Sequence, residues 1–501
     1  MRFIEFTALA FLGLTFGLRA QPSPSNNPAA SPGVYPLSLE ETIRFAVDHN
    51  LSLQIERYNP QIASFNLAGS YSYYDPAFNL EGHQNFKSDP GGFDPSINQR
   101  SLPRNTWVEN FASGITGKTP TGMKYDLNST LTRSSGADTG FQYRPETAVR
   151  VTQPLLKDFW TDQSRTQIKI NKRQLKISEL ALELQLMDTV LKAQQAYYDL
   201  IFATENIKVM EKALELAQRS AAENKRRVEV GTLAPLDEKE TESQAAAAQA
   251  NLILARSRLA TAENVVKSLF TDDYTKWHDT RLEPTEKLIA IPEIFNLQES
   301  WNNGIARRPD YNQLKEELEK QNLILKFDHN QLFPSLDLVG SFGRAGLDRT
   351  LGDSLENIRE GDFPRWGGGA VLKVPFSRTL ERNNYARTKV EKKQAILRLK
   401  QKEQEILVQI DDSVAQAKSN FDRIDATRQA RVFAEAALDA GQKKLENGRS
   451  TSFEILGLQD RLTKARFAEI QALADYNKSI AELYRQEGTT LERNRVNLII
   501  K

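Results

Sequence analysis

The 501-residue chain contains no cysteine. This absence excludes disulfides, thiolate metal sites, a cysteine nucleophile and the lipidated terminus of a lipoprotein. The four histidines are scattered through the chain without metal-binding spacing, and they are His49, His83, His278 and His329. A formal charge of +1 gives no bulk electrostatic attraction for nucleic acid. We therefore expect no metal, no cofactor and no nucleic-acid partner.

Catalytic motifs are also lacking. The sequence has no phosphate-binding G-x-x-x-x-G-K-[ST] loop and no G-x-S-x-G nucleophile turn. Its glycine cluster, Gly367 to Gly369, opens a predicted strand rather than a helix, which makes it a poor phosphate cradle. An enzyme is therefore the least favoured class of function.

Long apolar runs are scarce. The longest lies near the amino terminus, from Phe6 to Gly17, and is followed by a polar, proline-rich segment over 21–36. About 12 apolar residues suit the core of a signal peptide and fall short of the ~20 that span a membrane. We predict a signal peptide over 1–20, with a membrane anchor as the alternative. Entry of the mature chain into a membrane would require strands.

The chain is rich in helix-forming sequence. Arg165 to Val230 contains neither glycine nor proline, and its apolar residues alternate steps of three and four, the a/d pattern of a coiled coil. Thr379 to Asn447 repeats the pattern with the single glycine Gly441. At 1.5 Å per residue each helix would be about 100 Å long. Helices of this length must pack against others like them.

The two long helices belong to a duplicated unit. Pro76 and Gly82 recur at a constant offset as Pro334 and Gly340. The predicted organisation is repeat 1 over 37–270, an equatorial linker over 271–296, repeat 2 over 297–487 and a C-terminal tail over 488–501. Repeat 1 holds strands 76–88 and 145–154, long helix 165–230 and helix 236–270. Repeat 2 holds strands 335–343 and 366–376, long helix 379–447 and helix 453–487.

The predicted strands alternate in polarity. Phe78, Leu80 and Gly82 lie on one side of the first strand, and polar residues such as Asn79 and Glu81 lie on the other. This pattern is typical of an outer-membrane barrel with a water-filled interior. A half-buried strand of a soluble sheet shows the same alternation. Both interpretations stay open on this evidence.

The first repeat carries an additional segment. Gly82 and Pro154 are 72 positions apart, whereas Gly340 and Pro375 are 35 apart, so the first copy holds 37 more residues. Within them, 108–132 reads as a hairpin around Thr119-Pro120-Thr121-Gly122. We expect this hairpin at the extracellular end, with two further barrel strands as the alternative.

Several short motifs punctuate the two copies. They are Ala306-Arg307-Arg308-Pro309-Asp310-Tyr311 in the second copy, the strand start Pro334-Ser335-Leu336, and a glycine turn in each copy, at Gly231 and Gly448. With these motifs the chain resembles the TolC family of outer-membrane efflux proteins over essentially its whole mature length. The resemblance implies an α+β membrane protein in the cell outer membrane with a large periplasmic extension.

The resemblance further implies a homotrimer with a 12-stranded outer-membrane barrel continued by a periplasmic helical tunnel. Four principal strands per chain cannot close a barrel, because closed barrels begin at about eight strands and an open edge in lipid would leave backbone groups unpaired. Copies must therefore share one barrel, while the number three comes from the resemblance. The implied partners are a periplasmic adaptor, an inner-membrane pump and outer-membrane lipid.

The two glycine turns are the candidate functional sites. By resemblance, eight residues would contact the adaptor: Val230, Gly231, Thr232, Leu236, Gly448, Arg449, Ser450 and Phe453. Asp237, Arg449 and Glu454 would form the periplasmic gate, with Asp237 paired to Arg449 across the closed tip. The alternative is that both glycines are ordinary helix caps and both acids are solvated residues favoured near helix amino termini.

The sequence thus favours a passive exit duct of a tripartite efflux or type I secretion system. A secreted coiled-coil scaffold without membrane insertion is the alternative. A wide tunnel without a binding pocket leaves the exported substrate and the energy source of the pump undetermined.

Overall fold

The computed structural model describes residues 33–96, 98–100, 103–136 and 140–496. The predicted signal peptide over 1–20 lies outside the described residues, as does most of the polar segment that follows it. Among the described helices, none is both long enough and apolar enough to cross a membrane.

Helices make up most of the chain. They are α1 (Leu39–His49), α2 (Leu51–Ser70), α3 (Gln163–Glu229), α4 (Pro235–Phe270), α5 (Leu297–Arg307), α6 (Pro309–Gln331), α7 (Leu351–Glu360), α8 (Thr379–Glu446), α9 (Ser452–Glu487) and α10 (Thr490–Arg493). The strands are β1 (Val34–Leu37), β2 (Ala77–Asp89), β3 (Phe93–Asp94), β4 (Gln99–Arg100), β5 (Arg104–Lys118), β6 (Lys124–Gly136), β7 (Gly140–Pro154), β8 (Arg281–Pro284), β9 (Ser335–Ala345) and β10 (Phe363–Lys373).

The longer helices pack side by side as a wall. In the half next to the sheet the neighbours are α2, α3, α6 and α8, and in the other half they are α4, α3, α9 and α8. The long helices α3 and α8 run through both halves, while α2 and α6 are succeeded by α4 and α9. Asp162 caps α3 by accepting a hydrogen bond from the Arg165 backbone N–H at 3.0 Å.

The largest sheet has six strands, in the order β10, β9, β7, β6, β5, β2, and every neighbouring pair is antiparallel. Four of the six come from the first repeat, where the sequence predicts two principal strands. The predicted hairpin over 108–132 is therefore part of a full-length pair of sheet strands, β5 and β6. The 12-strand count assumed four strands per chain, so it no longer follows.

The turn between β5 and β6 lies at the helix end of the sheet. Lys118 forms an ion pair with Asp162 at the start of α3. A Cβ added at Gly122, whose φ is +88°, would lie 3.1 Å from an Arg165 guanidinium nitrogen and 3.2 Å from the Asp158 carbonyl oxygen. Hence the extracellular position expected for this hairpin is wrong: the turn packs where the long helix begins.

One face of the six-stranded sheet is apolar and exposed. Paired residues share a face, and the row Phe78, Ile115, Leu127, Val149, Phe342 and Trp366 crosses all six strands. Phe78 is 68% exposed and Trp366 is 83% exposed. The other face carries polar residues such as Asn79 and Thr116, whose side chains are hydrogen-bonded at 3.4 Å.

A compact core fills the girdle around the middle of the wall. Strand β1 pairs in parallel with β8 from the linker. Tyr197, Leu200, Phe270 and Trp277 are buried there, and the Phe270 and Trp277 rings meet edge to face with centroids 5.0 Å apart. Residues of the tail, Leu491 among them, pack against a second buried cluster on α1 and α3. The core thus joins α1, α3 and α4 to the linker.

Candidate docking tips, gate and junction

The first tip, residues 230–236, joins α3 to α4. Gly231 adopts φ +76°, the left-handed conformation that favours glycine. The Gly231 N–H donates to the Val228 carbonyl at 2.9 Å and the Thr232 N–H to the Arg227 carbonyl at 2.8 Å. These two bonds are the Schellman pattern, which satisfies the last free carbonyls of a helix. Pro235 then begins α4, where its missing N–H costs nothing.

The second tip, residues 447–453, repeats this geometry between α8 and α9. Gly448 adopts φ +68°. Its N–H donates to the Leu445 carbonyl at 3.0 Å, and the Arg449 N–H donates to the Lys444 carbonyl at 2.8 Å. The Thr451 hydroxyl caps α9 by accepting from the Glu454 N–H at 3.2 Å. Two loops of different sequence thus make the same sharp reversal.

The two tips are held side by side by contacts between α3 and α9. The Ser452 hydroxyl donates to the Asn224 side-chain oxygen at 3.3 Å, and the Gln459 amide donates to the Ser220 hydroxyl at 2.9 Å. Behind these polar contacts, Leu438, Ile455 and Leu462 form a buried cluster. Both tips therefore present one combined surface at the end of the wall.

That surface is apolar and exposed. Val230 is 73% exposed, Leu236 is 76% exposed and Phe453 is 68% exposed. Of the other predicted docking residues, Gly231, Thr232, Gly448 and Arg449 are exposed and Ser450 is half-buried. The structure places all eight on the two tips. Exposed apolar side chains that are surrounded by polar residues are typical of a protein interaction site.

The predicted gate residues do not all meet within one chain. The Ser450 hydroxyl donates to the exposed Glu454 carboxylate at 2.8 Å. Asp237 lies half-buried in the first turn of α4. In the part of the chain that the structure describes, no ion pair joins Asp237 to Arg449. Helices α4 and α9 both pack on α3 and also approach each other directly.

The Arg308-Pro309-Asp310 segment forms a buried polar junction to which sequence reasoning assigned no role. The Arg308 side chain is 3% exposed, and its guanidinium donates to both carboxylate oxygens of Asp310, at 3.0 and 2.7 Å. It also donates to the side-chain oxygens of Gln409 on α8 at 2.8 Å and Gln486 on α9 at 2.7 Å. One guanidinium therefore ties three helices together.

The charge on Asp310 is stabilised by this junction. Burial by itself would raise the pKa of Asp310, but the hydrogen bonds and positive charges of Arg308 and Lys402 outweigh it and lower the pKa from 3.8 to about 2. The Lys402 ammonium lies 3.1 Å from the carboxylate. The motif is visible in the sequence, but its partners at 402, 409 and 486 are not.

The sequence and fold are similar to those of known proteins, and these similarities identify the family to which the chain belongs. The family model described as "Outer membrane efflux protein" matches residues 133–270 and 302–489. This is more than half of the chain, and the chain belongs to that family. It is an outer-membrane protein of an efflux channel family, which is not a family of enzymes.

Individual relatives are distant in sequence and close in fold. Outer membrane protein TolC of Vibrio cholerae is 22% identical over 321 residues, which are 61% of this chain and 68% of that protein. The CmeC outer membrane channel of Campylobacter jejuni has a TM-score of 0.66 at 16% identity, over 90% of this chain and 86% of that one. VceC of Vibrio cholerae gives 0.66 at 14% identity, over 90% and 96%.

Proposed function

We propose that this protein is the outer-membrane exit duct of a tripartite efflux or type I secretion system and acts as a passive channel without catalysis. The observation that carries the proposal is the polarity of the sheet combined with the length of the helices. An apolar exposed face suits lipid, and the polar face opposite suits water. Helix α3, with 67 residues, extends about 100 Å from that sheet, enough to reach far into the periplasm.

The duct is built from several copies, and by family resemblance from three. Exposed apolar residues of α2 recur at coiled-coil spacing on one edge of the wall: Leu51, Ile55, Tyr58, Ile62 and Phe65. At the opposite edge, α8 exposes Val390 and Leu397 one heptad apart. Covering each edge with the other edge of the next copy closes a ring by repeated head-to-tail contacts.

The combined tips dock a periplasmic adaptor, which in turn connects the duct to an inner-membrane pump. Their exposed Val230, Leu236 and Phe453 supply apolar contact area at the far end of the wall. In a ring, the α4 edge of one copy lies beside the α8 edge of the next. This arrangement brings Asp237 of one copy towards Arg449 of its neighbour.

The gate lies at the same end. Carboxylates of Glu454 repeated around the axis would attract cations and repel anions. An exposed contact between Asp237 and Arg449 is worth about 0 to 1 kcal/mol, which suits a latch that an adaptor must open.

Purified protein in planar bilayers tests the duct and its gate. We expect outer-membrane fractionation, a detergent-stable trimer and small cation-selective conductance. Glu454→Gln should lose much of the selectivity, and the double variant Asp237→Ala with Arg449→Ser should enlarge the conductance. Lys464→Ala, 75% exposed at its side chain and farther from the tip, is the control. A soluble protein without conductance would instead indicate a secreted scaffold. Unchanged selectivity in Glu454→Gln would remove this residue from the constriction.

A further inference from the structure

The six-stranded sheet has two open edges. Within the described residues, β2 and β10 each pair on one side only. An unpaired strand edge in lipid leaves its N–H and C=O groups without partners, at several kcal/mol per group. Because six strands alternate in direction, β2 and β10 run antiparallel to each other. A β10 edge can therefore pair with the β2 edge of another copy in the same antiparallel pattern as the rest of the sheet.

The hairpin strands β5 and β6 carry the same lipid-type face as the other four. Trp107, Phe111 and Ile115 of β5 and Leu127 of β6 are between 43 and 54% exposed on that face. The opposite face of these strands is polar and includes Asn110, Thr116, Asn128 and Thr130. In water, exposing four large apolar side chains in one band would be energetically unfavourable, whereas lipid accommodates them. The alternation marks β5 and β6 as part of the membrane wall.

The strand register has the stagger that a closed barrel requires. In the row from Phe78 to Trp366, Phe78 is the second residue of β2 counted from the helix end, and Trp366 is the eighth of β10 counted from that end. The row thus moves six positions along the strands over five steps between strands. With about 3.4 Å per residue and about 4.8 Å between strands, the tilt is about 40°. Outer-membrane barrels tilt by about 35–45°.

We propose that each copy contributes its whole six-stranded sheet and that β10 of one copy pairs with β2 of the next. The shared barrel then has six strands per copy, and three copies of six make 18 strands. This number rests on the trimer of the proposed function. At about 40° tilt, 18 strands give a backbone diameter of about 36 Å, against about 24 Å for 12. The hairpin thus widens the barrel by half.

Imaging of the full chain in lipid nanodiscs by cryo-electron microscopy tests the strand count directly. We expect three copies and 18 strands in cross-section. Three copies with 12 strands and the hairpin outside the wall would overturn the inference and leave the proposed trimer intact. A ring of another copy number with six strands per copy would overturn the trimer and keep the edge pairing. A variant lacking 104–136 keeps an even strand number, and we expect it to form a narrower barrel.

Engineered disulfides give a second measurement, because the chain has no cysteine of its own. Ser129 and Thr147 are paired across β6 and β7, with their hydroxyl oxygens 3.2 Å apart. Ser129→Cys with Thr147→Cys should therefore cross-link within one chain in outer membranes. Ser129→Cys with Ala148→Cys is the matched control, because those side chains lie on opposite faces. Failure of the first pair to link would place the hairpin outside the sheet.

The edges are tested in the same way. Val371 of β10 lies on the polar face near the helix end, as do Asn79 and Glu81 of β2. Along the row, each step between strands shifts the register by zero to two positions towards the far end. Val371→Cys combined with Asn79→Cys or with Glu81→Cys covers the two same-face registers that continue this stagger. One of the two combinations should give covalent trimers under denaturing conditions. Absence of any link between copies in both would refute pairing of β10 with β2 at the stagger of the sheet.

Discussion

Replacing Arg308 with alanine should lower the free energy of unfolding of the helical part of the molecule. The loss should be larger than that caused by removing one partner of an exposed ion pair. The substitution leaves the buried Asp310 carboxylate with the Lys402 ammonium and the Tyr311 backbone N–H, and it removes the Arg308 donors to Gln409 and Gln486. Breaking a buried pair by removing one partner costs about 3 to 5 kcal/mol. The matched control is Arg423→Ala, which removes an arginine–aspartate pair with Asp475 whose side chains are 45% and 31% exposed. An exposed pair is worth about 0 to 1 kcal/mol.

The measurement is urea unfolding of the purified protein in detergent, followed by the helical circular dichroism signal. Arg308→Ala should lower the midpoint several times more than Arg423→Ala, with an unchanged slope. Arg308→Lys should fall between them, because an ammonium keeps the charge but cannot make the same forked contacts. Equal midpoints for the two alanine variants would refute the role given to this junction.

The pH dependence follows from the lowered pKa of Asp310. Because the folded-state pKa of about 2 lies below the ordinary value of 3.8, the ionised carboxylate stabilises the folded state above about pH 4. That contribution, about 2 kcal/mol, is lost as the pH falls through 2. Asp310→Asn should therefore be less stable than the wild type at pH 7, and the difference should shrink between pH 4 and 2. A difference independent of pH would show that the charge of Asp310 does not matter.

Three further predictions concern the tips and the edges of the wall. Phe453→Ala should weaken co-purification with the adaptor at least tenfold, because the Phe453 side chain, 68% exposed in the single chain, would be buried against the adaptor. The control Ile289→Ala, at a residue 65% exposed near the girdle, should leave co-purification unchanged. Gly448→Asn should leave the free energy of unfolding in urea nearly unchanged, whereas Gly448→Val should lower it by about 1 to 2 kcal/mol, because open space surrounds the glycine and only its φ of +68° disfavours a branched side chain. Equal effects of the two substitutions would contradict the strain argument. Tyr58→Glu with Ile62→Glu should convert trimers to monomers in size-exclusion chromatography, whereas Lys464→Glu should not.

The sequence was most informative where the structure is local and periodic. The a/d seam and the absence of glycine and proline predict a helix over 165–230, and α3 covers Gln163–Glu229. The glycines at 231 and 448 predict the two reversals because few other residues tolerate a positive φ. Such features depend on neighbours along the chain, which a sequence displays directly.

Features that depend on contacts distant in the chain escaped prediction. The hairpin over 108–132 was visible, but its place in the sheet depends on the pairing of β5 with β2 and of β6 with β7. Comparison of the two copies shows only that the first holds 37 more residues, so an extracellular hairpin and two further strands both stayed possible. Whether Asp237 pairs with Arg449 within one chain likewise depends on how α4 and α9 pack, which the sequence does not display.

The two sequence repeats carry different side chains at one equivalent backbone position. Asn50 and Arg308 both lie between an 11-residue helix and a longer one, α1 and α2 in the first copy, α5 and α6 in the second. Their backbone angles nearly coincide, at φ −65° and ψ 117° for Asn50 and φ −62° and ψ 123° for Arg308.

At each of these positions, the side chain reaches the end of the helix that continues the wall. The Asn50 amide donates to the Leu269 carbonyl of α4 at 3.2 Å, and the Arg308 guanidinium donates to Gln486 of α9 at 2.7 Å. Asn50 makes neutral hydrogen bonds, each worth about 1 kcal/mol net, while Arg308 holds a buried charge that becomes expensive if one partner is lost. Helices α6 and α9 are flanked by α3 and α8 of the same chain, so the Arg308 junction lies in the interior of the wall. Helices α2 and α4 lie at the edge of the wall, so the Asn50 junction lies where a neighbouring chain would complete the packing.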